Sequence, residues 1–220
     1  MDLACVLFDF DGTLADTAAD LGEALNKMRR ARGMAELPLS VLRPIASYGA
    51  NGMILAGFGV KKGESGHARL RQEYLDSYAD CCADKTRPFD GIVETLQGLV
   101  RRGLKWGIVT NKPTRYAQLA VPRLRLPLEP DALVCGDTLD VGKPSPKPVW
   151  HACEQVGAAA QTCIFVGDAR FDMKAGRDAG CYTVLAQYGY ISDEDRKEDW
   201  KPDARIDRPL DLLPLVDRLM

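Results

Sequence analysis

Short, mostly apolar runs that alternate with helix-length segments constrain this chain most. The runs cover residues 4–8, 104–109, 132–135, 163–166 and 182–185. A strand with almost no polar face to turn to solvent must be covered on both sides, as strands in parallel sheets are. The intervening segments have helical spacing. Residues 91–102 place Ile92, Val93, Leu96, Leu99 and Val100 on one face ahead of Gly103, and residues 148–156 and 172–179 also read as helices. Strand–helix alternation predicts an α/β fold, a parallel sheet with crossover connections of Rossmann-like kind.

Residues 17–84 break the alternation. They show helical periodicity and no convincing strand. Leu21, Ala24, Leu25 and Met28 share a face within residues 20–32, Gly33 follows, and residues 69–83 form a second helix candidate. The segment Arg87-Pro88-Phe89-Asp90-Gly91 marks the return to the alternating pattern. A weak edge strand near Ile206 and a helix over 210–220 end the chain. The expected organisation is a core of residues 1–15 and 85–220 with a helical insertion over 16–84.

At 220 residues the chain can bury one sizeable core, and 46% hydrophobic with 27% charged residues is ordinary for globular proteins. The formal net charge of −2 provides no basic surplus for nucleic acid or an anionic membrane surface, so neither is an expected partner. An anionic substrate must be drawn in by local groups or a metal. The seven cysteines form no C-x-x-C pair. Cys5, Cys135, Cys163 and Cys181 sit in or beside apolar runs and read as small core residues. A reducing cytoplasm is the expected compartment. The first apolar run is short and ends in Asp9, unlike a signal peptide or a membrane span.

Four motifs carry chemistry. Asp9-Phe10-Asp11-Gly12-Thr13 directly follows the first run, placing two carboxylates at the strand end where open α/β sheets bind ligands. Asp-Gly is also a common turn. A calcium loop fits poorly, because an EF-hand has glycine at its sixth position and a helix before it. Ile108-Val109-Thr110-Asn111 ends a strand in a hydroxyl residue, which reads either as a helix N-cap or as a phosphate contact. Lys143 is held between Gly142 and Pro144. Gly167-Asp168, with Asp172 four residues after Asp168, follows another strand; Asp172 also reads as a cap of the next helix. Parallel strands bring these groups to one sheet edge.

In that order, the four motifs resemble those of the haloacid dehalogenase superfamily over essentially the whole chain. Asp9 to Thr13 match D-x-D-G-T, Thr110 the hydroxyl motif, Lys143 the lysine motif, and Gly167, Asp168 and Asp172 the pattern G-D-x-x-x-D. The stretch Gly176 to Gly180 resembles the segment that follows the fourth motif. Ala169 departs from the family's frequent serine or threonine. The insertion resembles the family's α-helical cap.

The resemblance implies a phosphatase. Asp9 is the expected nucleophile, forming an aspartyl-phosphate, and Asp11 the general acid and base. Mg²⁺ is the implied cofactor, held by Asp9, the Asp11 carbonyl and Asp168, with Asp172 orienting that shell. Thr110, Asn111, Gly12 and Thr13 are implied phosphate contacts, and Lys143 neutralises charge. Asp11 disfavours a dehalogenase, because halide needs no proton. In the insertion, Arg43 is a candidate grip for a substrate carboxylate, and residues 49–52 a candidate helix start facing an anion. The insertion and the Thr110 region most resemble phosphoglycolate phosphatases, so 2-phosphoglycolate is the first expected substrate. Phosphatases of N-acetylmuramic acid 6-phosphate are the alternative, then a sugar phosphomutase or a degenerate metal- and phosphate-binding regulatory protein. The expected partner is a small phosphate ester.

Overall fold

The computed structural model describes residues 2–192, 195 and 197–220. In chain order the elements are β1 (Cys5–Phe8), β2 (Ala15–Asp16), α1 (Ala18–Arg30), α2 (Leu39–Leu42), a 3₁₀ turn (Arg43–Tyr48), α3 (Gly49–Phe58) and α4 (His67–Ala79). They continue with β3 (Arg87–Pro88), α5 (Ile92–Arg101), β4 (Lys105–Val109), α6 (Thr114–Arg123), β5 (Ala132–Val134) and α7 (Lys147–Val156). The last are β6 (Cys163–Gly167), α8 (Arg170–Ala179), β7 (Tyr182–Ala186), β8 (Ala204–Ile206) and α9 (Leu212–Leu219).

Six strands form one parallel sheet in the order β5-β4-β1-β6-β7-β8. Its central strands β1 and β6 are buried at every position because both faces are covered. Along β1, Val6 and Phe8 enter one core, while Cys5 and Leu7 enter another on the opposite face with Val149 and Ala152 of α7. Cys5, Cys135, Cys163 and Cys181 are all buried, as expected of small core residues. The sheet thus has the α/β architecture expected from the apolar runs.

The chain leaves this sheet after β1 and returns to it before α5 through a two-stranded ribbon. Ala15 pairs with Pro88 and Asp16 with Arg87, antiparallel. Helices α1 to α4 lie between the two ribbon strands, with α1 packed against α3 and α4. Strands of two residues are too short to show a period, so neither ribbon strand is visible in the sequence. Helix α6 is a second departure from expectation. Its buried Tyr116, Ala117, Ala120 and Val121 have helical spacing, but Pro122 sits within it and obscures the pattern.

Buried Asp20 of α1 ties the helices to the returning chain. Its carboxylate accepts the Lys85 N–H at 3.0 and 3.1 Å and the Thr86 hydroxyl at 2.7 Å. Asp20→Ala would strand a buried N–H and a hydroxyl, and is expected to cost about 2 kcal/mol of unfolding free energy. A chemical denaturation midpoint measures this, and an unchanged midpoint would show the link to be dispensable.

Candidate active site

The strand order decides which motifs meet. β4, β1 and β6 are neighbours at the sheet centre, so the residues following them stand side by side: Thr110, Asp9 and Asp168. All three are buried. Lys143 reaches in from the loop after β5. Its ammonium lies 2.7 Å from Asp9 Oδ1, 2.7 Å from Asp172 Oδ1 and 2.7 Å from the Val109 carbonyl.

Asp9, Asp168 and Asp172 each offer a carboxylate oxygen within 4.8 Å of the others. Burial pushes Asp9 up to about 7, with Lys143 opposing and Asp172 adding to the rise. Asp168 is pushed up to about 7, by burial and then by Asp9. Burial likewise pushes Asp172 up to about 6, against the pull of Lys143. Lys143 is shifted upward: burial works against its charge, but Asp172 and Asp9 outweigh it. Three acids and one ammonium leave the cluster short of positive charge. Asp172 Oδ1 receives no well-aligned hydrogen bond, although Lys143 lies beside it as an ion pair. A hard divalent cation suits this all-oxygen donor set.

The supports of Asp168 are unusually complete. Its carboxylate accepts the Thr13 hydroxyl at 3.1 Å, the Ser47 hydroxyl at 2.8 Å and the Tyr190 N–H at 2.8 Å. Gly12 passes directly beneath it at φ +89°, where a Cβ would overlap the Asp168 carboxylate. Asp172 joins the acid triad, and its Oδ2 also accepts the Ala169 N–H at 3.0 Å at the start of α8, the cap position read from the sequence.

Three expected phosphate or substrate contacts, Thr13, Gly12 and Arg43, are placed otherwise, and the Asn111 side chain has a second task. Thr13 is fully buried and spends its hydroxyl on Asp168, and Gly12 lies against Asp168; neither lines the neighbouring cavity. Asn111 does line it, but its amide clamps the backbone of Lys143, donating to the carbonyl at 3.0 Å and accepting the N–H at 2.8 Å. Arg43 points to a different cavity beside the ribbon. It pairs with Asp16 at 3.0 Å, beside the longer Arg87–Asp16 pair at 3.6 Å, and stacks over the rings of Tyr190 and Phe89. Thr110 caps no helix, since α6 begins at Thr114; its hydroxyl accepts the Lys112 N–H at 3.1 Å.

Lys112 is the site residue that sequence reasoning missed. It is buried, its ammonium is 2.8 Å from Asp11 Oδ1, and the Thr17 hydroxyl donates to that same oxygen at 2.6 Å. Asp11 therefore stands apart from the acid triad with its own cation. The signal was present, since Lys112 lies two residues past Thr110 on the same loop. A surface lysine and a site lysine look alike in sequence.

The cavity above these groups holds about 340 Å³. Asp9, Asp11, Thr110 and Lys112 form one wall, residues 46–51 another, and Arg71, Tyr74, Leu75, Tyr78 and Tyr116 a third. Residues 49–51 do open a helix, α3, at the cavity edge.

Comparison with known proteins agrees with this geometry. The sequence model described as haloacid dehalogenase-like hydrolase matches residues 6–186. An N-acetylmuramic acid 6-phosphate phosphatase of Pseudomonas aeruginosa is 41% identical over 220 residues, covering 100% of this chain and 97% of the relative. A phosphoglycolate phosphatase of Xanthomonas campestris pv. campestris is 38% identical over 204 residues, covering 93% and 92%. A haloacid dehalogenase-like family protein from Streptococcus pneumoniae shares the fold at a TM-score of 0.79 and 20% identity, covering 98% of this chain and 99% of its own. The chain belongs to the haloacid dehalogenase-like hydrolases and is an enzyme of the phosphatase kind.

The raised acids have a signed consequence. A carboxyl whose pKa is higher folded than unfolded stabilises the protein at low pH, and that contribution is lost as pH rises from the ordinary 3.8 through about 6 to 7. A cation needs the deprotonated acids and so binds more tightly as pH rises. The increase in melting temperature on adding Mg²⁺ is expected to be small at about pH 5 and large at about pH 8. Asp168→Asn should abolish most of it at both. An increase independent of pH would mean that the triad is not where the ion binds.

Proposed function

We propose that the protein hydrolyses a phosphomonoester of a carboxylate-bearing amino sugar, N-acetylmuramic acid 6-phosphate, through a phosphorylated Asp9. The observation that carries this reading is the cavity: about 340 Å³, walled by tyrosines and placed over Asp9. That is the size at which a sugar-sized ligand is buried. A two-carbon acid such as 2-phosphoglycolate would leave most of it to water. Two relatives named for the muramic acid phosphate phosphatase, at 41% and 37% identity, support the choice.

Residues 16–84 act in this reading as a cap that encloses the leaving group. Asp9 attacks phosphorus in line while Asp11 gives its proton to the departing sugar oxygen, so the P–O bond breaks to an alcohol. A water then attacks the aspartyl-phosphate, Asp11 takes its proton, and phosphate leaves with Asp9 restored. Lys143 holds the Asp9 carboxylate and offsets its charge. The Thr110 hydroxyl and the Asn111 backbone N–H hold phosphate oxygens, while the Asn111 side chain fixes Lys143. Asp9, Asp168 and Asp172, with the Asp11 carbonyl, would hold Mg²⁺, which supplies the positive charge that lets a carboxylate approach a phosphate dianion. Lys112 and Thr17 fix the carboxylate of Asp11. The seven cysteines are free thiols, which suits a reducing compartment such as the cytoplasm, and no described helix is long and apolar enough to cross a membrane.

Phosphate release with Mg²⁺ tests the reading directly. The wild type is expected to turn over N-acetylmuramic acid 6-phosphate with higher kcat/KM than 2-phosphoglycolate, and Asp9→Asn to be inactive on both. The opposite ranking would sink the amino-sugar assignment, and equal rates for wild type and Asp9→Asn the nucleophile. Lys112→Met is expected to slow sugar phosphates by roughly tenfold to a hundredfold but p-nitrophenyl phosphate much less, because that leaving group needs little protonation. A uniform loss would mean that Lys112 acts on folding or binding instead of on Asp11.

A further inference from the structure

Helix α4 turns one face to the cavity. Arg71, Tyr74, Leu75 and Tyr78 all line it, at the spacing of a single helical stripe. Tyr78 marks the deep end, since its ring centroid lies 5.0 Å from the Lys112 ammonium that holds Asp11. Arg71 marks the other end, seven residues earlier and so roughly 10 Å along the helix axis. Among the lining residues only Lys112 and Arg71 carry positive charge. Lys112 is buried and paired with Asp11, whereas among the described residues no carboxylate pairs with Arg71, which stands exposed at the rim. Arg43, the arginine that the sequence brings forward first, is spent on Asp16 outside this cavity.

We infer that Arg71 is the carboxylate reader of the active site, an inference that rests on the amino-sugar reading above and names the group that selects for it. The phosphate end of the cavity lies at Asp9 and the free cation at the far end of α4, so a substrate engaging both must be long. In 2-phosphoglycolate a single methylene separates the phosphate oxygen from the carboxylate. In N-acetylmuramic acid 6-phosphate a pyranose ring and an ether stand between the 6-phosphate and the lactyl carboxylate. The tyrosines between the two ends offer aromatic faces to that ring. A guanidinium forks onto a carboxylate with two parallel N–H donors, which a neutral hydroxyl in the same place cannot match.

The test compares kcat/KM on N-acetylmuramic acid 6-phosphate with that on N-acetylglucosamine 6-phosphate, the same sugar without the lactyl group. The wild type should prefer the first. Arg71→Met should lose roughly tenfold to a hundredfold on it, the range for a charge-assisted pair, mainly through KM. Its loss on N-acetylglucosamine 6-phosphate should be several-fold smaller, and Arg71→Lys should restore part of the loss on the first sugar. Equal losses on both sugars, or a wild type that hydrolyses both without preference, overturns the anchor and leaves the phosphatase reading standing. A wild type that hydrolyses neither removes the substrate reading itself, and the anchor falls with it.

Discussion

Three buried carboxylates gathered around one ammonium are the arrangement on which the rest of this structure depends. Asp9, Asp168 and Asp172 are almost inaccessible to water, and Lys143 alone faces two of them at 2.7 Å. Taking such charges out of water costs several kcal/mol each, and one lysine does not offset three acids. The imbalance shows in the upward shift of all three acids. It is also the chemical reason the site suits a divalent cation, because the same deficit that is unfavourable in the empty cluster becomes binding energy for an ion. Removing Lys143 would leave two carboxylates facing each other without compensation, so the lysine holds the cluster together.

The surroundings of the cluster are organised to hold it. Asn111 grips the Lys143 backbone at two points, Thr13 and Ser47 donate to Asp168, and Gly12 leaves room for its carboxylate. Tyr190 joins the cluster to the helices that lie between the ribbon strands. Its N–H holds Asp168, while its hydroxyl accepts the N–H groups of Thr17 and Ala18 at the start of α1 and lies 3.0 Å from Asp16. Ser47 makes a second connection from the insertion to the same carboxylate. The helices are therefore attached to the acid cluster through hydrogen bonds and not only through packing.

Asp11 and Lys112 form a separate pair beside the triad. Two carboxylates two residues apart on one loop thus meet different cations, Lys143 beside Asp9 and Lys112 beside Asp11, as the separate tasks proposed for them require. A loop that turns sharply at Gly12 makes this separation possible.

Much of the architecture was legible along the chain. Apolar runs identified five of the six strands of the main sheet, because a strand covered on both faces has no polar period to hide it; β8 at the edge gave only a weak signal near Ile206. The acids at strand ends and Lys143 were legible because their residue types and order are dictated by phosphoryl chemistry. The two-residue ribbon strands and α6 were not, since local patterns that short, or interrupted by Pro122, carry little signal. The sequence by itself determined five of the six sheet strands and the acids and lysine that gather at their ends. Only the tertiary structure decided that Lys112 faces Asp11, that Asn111 and Thr13 support other residues, and that Arg71 and not Arg43 lines the cavity. Those outcomes depend on where side chains from distant segments meet. A lysine or arginine on a loop or helix looks the same in sequence whether it meets water, an aspartate or a substrate.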